Sequence, residues 1–243
     1  MARLPPGLVR ARRVEIHFAR KLRKIAYHVA EIIKAFPEGD LQAWPAMQAA
    51  LAHYSEAIGP WATAAASAML EQVNLHELSD WNALALEMRA GMRNEIANAP
   101  TGEAMRRLLA EQVSLITSLP IEAGERVHEW TLAGIADGTR AAEVAKAIRA
   151  TSDVTAARAN TIARTETSRT ATVLTQVRAE YIGSREFIWR TSGDSDVRPS
   201  HRALNGKTFL WSNPPVCDPP NYRALPGAIW NCRCYPEVIL LDA

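Results

Sequence analysis

The residues best able to do chemistry lie in one short stretch near the end of the chain. His201, Cys217, Cys232 and Cys234 supply one imidazole and three thiols, which is the ligand set of a structural zinc site. Cysteines two apart on a strand are about 6.5–7 Å from each other, so Cys232 and Cys234 converge on a metal only if the strand bends. The alternative is ordinary packing, because free cysteines are often buried as small apolar residues.

A catalytic interpretation uses residues of the same stretch. Asp194, Asp196, Arg198 and His201 could supply a base, a carboxylate that orients it, and a cation that binds an anion. Cys217 with His201 would form a nucleophilic dyad. The sequence has no Gly-rich phosphate loop, His-Glu-x-x-His step or nucleophile elbow, and a plain surface turn explains the same residues. We therefore expect no enzyme; the alternative function is a metal-dependent hydrolase or toxin-like effector that uses the His201/Cys cluster.

Composition divides the chain into two regions. All three cysteines, seven of the 14 prolines and three of the seven tryptophans follow residue 183, whereas the preceding residues are rich in alanine and other helix formers. The predicted fold is α+β: a large N-terminal all-helical region, then a small C-terminal antiparallel β-containing module. We place the helical region at residues 1–138 and the C-terminal module at residues 139–243, with helices over 139–183 and the small β module over 184–243.

The first predicted helix covers residues 8–36 and carries a regular apolar stripe. Its members are Phe18, Leu22, Ile25, Val29, Ile32 and Phe36, at alternating spacings of four and three, and Pro37 and Gly39 end the helix. Such a stripe packs inside its own protein or forms a seam for a partner helix. We therefore expect either internal packing or an oligomer contact through residues 18–36.

Breaker residues set the other predicted boundaries. They predict helices over residues 44–73 (kinked near Gly59-Pro60), 79–97, 101–117, 120–136, a short one ending at 150, and 154–181 capped by residues 151–153. Residues 186–191 have the β-branched and aromatic bias of a strand, and Asn205-Gly206 is a strong hairpin signal. Residues 232–241 predict a last strand, which Pro236 confines to an edge or a bulge.

Charge is concentrated at the start of the chain. Residues 1–34 hold nine Lys and Arg against two Glu, a net charge of +7 in a protein whose total is +2. The first helix is therefore expected either to contact double-stranded DNA or an acidic protein surface, or to be a solvated face with no partner. The candidate contact residues are Arg12, Arg13, Arg20, Lys21, Arg23 and Lys24.

Several classes of protein are disfavoured. No run of eighteen apolar residues occurs, so no membrane contact is expected, and residues 1–13 lack the apolar segment of a secretory signal. An odd number of clustered cysteines argues against a disulfide framework and for synthesis in a reducing cytoplasm.

A set of residues in the second half carries a family resemblance. It comprises Arg164, Glu166, Trp189, Asp194, Asp196, Arg198, His201, Gly206, Asn231, Cys232 and Cys234. In this order and spacing, over residues 141–240, the chain resembles the phage Mu F-like head morphogenesis family, the minor head proteins of tailed phages.

The resemblance implies a minor head protein of a tailed phage or prophage, made in the host bacterial cytoplasm and located in the virion head interior or at the portal vertex. It implies a part in procapsid assembly and in DNA packaging or ejection, with the portal protein and major capsid or scaffolding proteins as partners. It also implies that the Ala163-Arg164-Thr165-Glu166 step packs against the C-terminal module.

Overall fold

The structure, a computed structural model, describes residues 6–86, 96–218 and 220–240. The predicted α+β class is confirmed: long helices precede a small antiparallel sheet. The helices are α1 (Pro6–Lys34), α2 (Trp44–Ala57), α3 (Gly59–Leu86), α4 (Thr101–Ala136), α5 (Ala141–Tyr181) and the short α6 (Pro199–Arg202), with a 3₁₀ turn at Leu41–Ala43. The strands are β1 (Glu186–Arg190), β2 (Thr208–Leu210), β3 (Val216–Asp218), β4 (Tyr222–Arg223) and β5 (Tyr235–Val238). No helix among the described residues is long and apolar enough to cross a bilayer.

The chain folds into two compact units, and each is built from separate stretches of sequence. The helix unit comprises His17–Ala66 and Ala110–Ala163. The sheet unit comprises Met1–Ile16, Ser67–Leu109 and Arg164–Ala243. Both units therefore depend on contacts between residues that are far apart in sequence.

The apolar stripe of α1 forms part of the core of the helix unit. Phe18, Leu22, Ile25 and Val29 are buried, with exposed fractions of 2% or less. Burying each such side chain stabilises the fold by about 1.5–3 kcal/mol relative to leaving it in water. Internal packing is thus what the structure shows for these four positions.

Proline has opposite effects in two places. The predicted break near Gly59-Pro60 is confirmed, since α2 ends at Ala57 and Pro60 lies in the first turn of α3. The predicted break at Pro120 is wrong, because α4 continues through it from Thr101 to Ala136. Burial of Leu119 and Ala123 keeps both sides of Pro120 in the core, and the Ser55 hydroxyl donates a 2.6 Å hydrogen bond to the Thr117 carbonyl in the preceding turn.

Two other predicted boundaries are also wrong. Helix α5 is continuous across residues 151–153, where Thr151 is buried and the Thr155 hydroxyl donates to its carbonyl, as in a helix interior. The predicted helix start at Ser79 lies inside α3, which runs on to Leu86. Part of that predicted helix, residues 87–95, lies outside the described residues.

The sheet has the strand order β2-β1-β5, with both pairings antiparallel. The predicted strand at residues 186–191 is confirmed as the central strand β1, and β5 lies at an edge, as Pro236 requires. Asn205-Gly206 does not join two strands directly, because α6 lies between β1 and β2. Gly206, at φ +79°, instead donates its backbone N–H to the Trp189 carbonyl at 2.8 Å and brings the chain back to β1.

The last strand is shorter than predicted. It begins at Tyr235, so Cys232 and Cys234 precede it, in the irregular segment between a turn at residues 230–231 and the strand. The pairing with β1 sets this limit, because Tyr235 lies opposite Arg190, the last residue of β1. Asn231, just before the two cysteines, has a left-handed backbone conformation with φ 57°. The two cysteines are therefore not held apart by the rise of a strand.

Candidate functional site

One imidazole and two thiols converge in the sheet unit. The Nδ1 atom of His201 lies 3.5 Å from the Sγ atom of Cys232 and 3.7 Å from that of Cys234. All three side chains are buried, and their ligand atoms lie within 4.8 Å of one another. We call these three residues the thiol–imidazole cluster. Their arrangement can hold a metal ion.

His201 is oriented by its helix and by an aromatic neighbour. It lies in α6, where Pro199 occupies the first turn and fixes the start of the helix. The Trp189 ring meets the imidazole edge-on, with ring centroids 5.4 Å apart, and is itself buried at the centre of β1. The imidazole therefore has little freedom to turn away from the thiols.

A tight turn brings the two cysteines together. Asn231 donates its backbone N–H to the Thr165 hydroxyl at 3.1 Å, which anchors the turn to α5. Cys234 donates its backbone N–H to the Cys232 sulfur at 3.4 Å. Gly227 has φ +82°, and a Cβ there would lie 2.8 Å from the Cys234 carbonyl and 2.9 Å from the Thr172 hydroxyl. Only glycine fits this close approach without strain.

The two thiols influence each other's ionisation. The Cys234 thiol, which donates toward the Cys232 sulfur, lowers the pKa of Cys232, and His201 adds to this effect against the opposing cost of burial. The same shared proton, together with burial, raises the pKa of Cys234. The two thiols therefore titrate as a coupled pair.

Asp218 faces the other side of the imidazole. Its Oδ1 atom lies 3.6 Å from His201 Nε2, and the Ser200 hydroxyl is 3.4 Å from the same oxygen. Arg198 lies 3.7 Å from Asp218 Oδ2. Nε2 makes no hydrogen bond among the described residues, and Asp218 is the carboxylate beside it. A proton on Nε2 would face this carboxylate and leave the Nδ1 lone pair toward the thiols. Sequence reasoning missed Asp218, since no spacing rule links it to His201.

Cys217, the fourth predicted metal ligand, is not part of the cluster. Its Sγ atom faces the Tyr222 carbonyl at 3.2 Å, and the residue is buried among apolar neighbours that include Trp211 and Ile229. Burial raises the pKa of its thiol. The structure thus brings together three of the four predicted ligands and assigns Cys217 to packing. Its thiol faces the Tyr222 carbonyl and not His201, unlike in the predicted nucleophilic dyad.

A pocket of about 230 Å³ adjoins the cluster. Besides the three cluster residues it is lined by Asp194, Asp196, Arg198, Asn231 and Arg233, among others. Arg233 pairs with Asp194 at 3.3 Å, and the Asp196 backbone N–H donates to the Asp194 carboxylate at 3.1 Å. We call this the motif pocket, because most of its lining comes from the residues that carry the family resemblance.

The remaining motif residues support the pocket from the sides. Arg164, which also lines the pocket, donates to Glu15 at 3.2 Å. Glu166 is 4% exposed and lies 3.4 Å from Arg169. With Thr165 bonded to Asn231, this part of α5 lies directly against the turn that carries the cysteines.

The predicted basic contact residues lie along α1. Arg12, Arg13, Arg20, Arg23 and Lys24 are exposed and Lys21 is half-buried. Arg23 donates to the Asn160 side chain at 2.8 Å, within the helix unit. The other exposed side chains leave their charges open to solvent, as both the contact and the solvated-face interpretations require.

Comparison with known proteins agrees with the motif residues. Residues 125–236 match the family model described as phage Mu protein F like protein. An uncharacterized protein of Haemophilus influenzae is 30% identical over 161 residues, which cover 66% of this chain and 34% of the relative. The chain thus spans about a third of the length of the curated relative it matches. No solved structure matches the chain significantly. The stretch that is similar to the phage Mu F-like family, residues 125–236, includes the motif pocket and the thiol–imidazole cluster.

Proposed function

We propose that the protein is a minor head protein of a tailed phage or prophage that acts in procapsid assembly at or near the portal vertex. The observation that supports this most directly is the Mu F-like match over residues 125–236, which contains every buried member of the motif pocket. We further propose that it acts by binding other head proteins and not by catalysis. Its partners would be the portal protein and the major capsid or scaffolding proteins.

The exposed basic residues of α1 suggest how such a partner is bound. An acidic portal surface and the DNA backbone both attract a helix with this charge. The two partners differ in their response to salt, because removing one phosphate interaction flattens the slope of log affinity against log salt by about 0.9. We propose that α1 provides this contact.

Quantitative mass spectrometry of purified heads tests the assignment. The protein should be present at a copy number well below that of the major capsid protein, and it should co-purify with the portal protein from a lysate. Deletion of its gene should give defective heads while tail proteins still accumulate. Heads that lack the protein entirely would refute the proposal.

A charge variant tests the role of α1. The combined substitution Arg12→Gln, Arg13→Gln, Arg20→Gln and Lys24→Gln should weaken binding to the portal protein or to double-stranded DNA, whichever is the partner. Substituting the same number of exposed basic residues elsewhere, for example Arg106, Arg107, Arg140 and Lys146, is the matched control. Equal head incorporation of both variants would mean that α1 is only a solvated face.

A further inference from the structure

We propose that His201 Nδ1 and the thiolates of Cys232 and Cys234 bind one Zn²⁺ ion, whose fourth coordination position faces the motif pocket. The inference is independent of the proposed role in the phage head. It concerns a soft divalent cation, because two sulfurs and an imidazole are the ligands that zinc prefers.

The distances within the cluster are those of a tetrahedral zinc site. Zinc bonds of about 2.3 Å to sulfur and about 2.05 Å to nitrogen, at the tetrahedral angle, place the two ligand atoms about 3.6 Å apart. The observed separations from His201 Nδ1 are 3.5 Å to Cys232 and 3.7 Å to Cys234. A hydrogen bond from one thiol would draw the imidazole toward that sulfur. Here the two distances from His201 Nδ1 to the sulfurs are almost equal. A shared ion explains this arrangement directly.

Charge balance also favours a metal at this buried position. Zn²⁺ with two thiolates and a neutral imidazole has no net charge, so the site avoids the cost of an unpaired ion in the protein interior. The Cys234 backbone N–H donates to the Cys232 sulfur at 3.4 Å, an interaction that is stronger with a negative sulfur. The cluster is thus prepared to hold negative sulfur next to a cation.

Asp218 completes the arrangement as a positioning residue. Metal-ligating imidazoles donate their second ring N–H to a carboxylate or carbonyl, which fixes the ring and raises its basicity. His201 Nε2 is buried and has no hydrogen-bond partner among the described residues, and Asp218 Oδ1 lies 3.6 Å from it, just beyond hydrogen-bond distance. A small shift of the Asp218 side chain would bring this oxygen to the unpaired nitrogen. Arg198 in turn neutralises the carboxylate. An imidazole used only for packing would have no need of this carboxylate.

The fourth position is open on the pocket side. Among the described residues, no other His, Cys, Asp or Glu joins the cluster within ligand distance. The adjoining 230 Å³ is large enough for several waters, with the Asp194, Asp196 and Arg198 side chains around it. The site therefore has three protein ligands and one exchangeable position, which a water or a small anion would occupy.

The ion would join two segments that are about thirty residues apart. His201 belongs to α6, and the cysteines belong to the turn before β5. A metal that closes such a loop lowers the entropy of the unfolded chain and adds its binding free energy to folding. Chelation should therefore loosen the region after residue 184 before it affects the helix unit, which hydrogen exchange can resolve by segment.

Metal analysis of the reduced, purified chain is the first test. About one zinc per chain is expected, retained by Cys217→Ser and lost from Cys232→Ser and Cys234→Ser. Cys217→Ser is the matched control, because it removes a buried thiol of the same module that lies outside the cluster. Wild type without stoichiometric zinc, even after titration with Zn²⁺, would overturn the proposal, as would loss of zinc from Cys217→Ser.

Cobalt substitution tests the ligand set without any variant. Co²⁺ bound to the wild-type chain should show thiolate-to-metal charge transfer and the visible bands of a tetrahedral site. Added thiocyanate should change the visible bands while the charge transfer remains, because the anion enters at the fourth position. Absence of charge transfer would overturn the site, and visible bands insensitive to thiocyanate would overturn the open position.

The Asp218→Asn variant tests whether the Asp218 carboxylate positions His201 or only packs against it. The variant should weaken zinc affinity by about 10–100-fold, as for other outer-shell partners of metal-bound histidine. Glu186→Gln, at an exposed position on β1 outside the motif pocket and the cluster, is the control and should stay within about threefold of wild type, well below the outer-shell effect. Equal affinities of Asp218→Asn and wild type would remove Asp218 from the proposal.

Discussion

The helix unit and the sheet unit are stabilised in different ways. In the helix unit, apolar stripes on long helices bury one another, and the fully buried side chains include Phe18, Leu22 and Leu119. The sheet unit combines segments of α3, α4 and α5 with short strands, and one of its core clusters joins aromatic rings such as Trp189 to three cysteines. Periodic helix packing therefore accounts for the first unit, whereas the strand-containing part of the second also uses a few specific polar and thiol contacts.

That difference determines where each unit tolerates change. A stripe of interchangeable apolar residues loses stability in proportion to the volume removed. The segment that brings two sulfurs within 4 Å of the His201 imidazole depends on its backbone conformation. There, a methyl group added to a glycine should destabilise the fold more than a methyl group removed from a side chain. Three variants test this difference between the units, in order of decreasing expected loss of unfolding free energy.

Leu22→Ala should give the largest loss, because Leu22 has no exposed surface in the helix unit. The expected decrease in the free energy of unfolding is about 2–5 kcal/mol, from reduced burial and the cavity left behind. Guanidinium denaturation measures the total, and hydrogen exchange should show faster opening in the helix unit. Leu132→Ala, at an exposed position of the same unit, is the control and should cost no more than about 0.5 kcal/mol. Similar costs for both variants would contradict packing as the source of stability.

Gly227→Ala should destabilise the sheet unit by more than about 2 kcal/mol. The substitution would place alanine in a left-handed conformation and would also crowd its Cβ against the Cys234 carbonyl. Gly138→Ala is the matched control, since Gly138 has φ +63° but nothing within 4 Å of the added Cβ. It should cost only the conformational term of about 1–2 kcal/mol. Equal losses of unfolding free energy in the two variants would mean that the close approach at Gly227 contributes nothing.

The smallest effect concerns Glu77 in the sheet unit. Burial raises the pKa of its carboxyl to about 7, against the lowering effects of a hydrogen bond from Thr175 and of nearby Arg178. Since the folded-state pKa lies above that of the unfolded chain, protonation stabilises the fold at low pH. The full difference between 4.5 and 7 corresponds to about 3.4 kcal/mol. Because Glu77 is only half-buried and water screens its charge, we expect a loss of about 1–2 kcal/mol as pH rises from about 4.5 to about 7.

Denaturation curves at several pH values measure this contribution. Glu77→Gln should remove the pH-dependent loss and be more stable than wild type at pH 8. Glu71→Gln, at an exposed position on the same helix, is the control and should keep the wild-type profile. A parallel pH dependence of wild type and Glu77→Gln would show that Glu77 titrates alike in the folded and unfolded chain.

Sequence periodicity predicted the helices well and their ends poorly. The α1 stripe and the α2–α3 break follow from residue pattern, whereas Pro120 and residues 151–153 carry local breaking signals that tertiary burial outweighs. The residue types of the thiol–imidazole cluster were visible in the sequence. Its geometry was not, because it depends on the left-handed Asn231 and on Asp218, which only the folded chain brings to His201.

The division of each unit among distant stretches has a consequence for synthesis. The residues of the helix unit are complete once Ala163 has left the ribosome. The sheet unit is complete only after β5 has left the ribosome. Its partner strand β1 and helix α5 leave the ribosome earlier. Until then, the unpaired edge of β1 and the free thiols are exposed to other nascent chains. Slow translation between residues 190 and 238 would therefore threaten the sheet unit far more than the helix unit.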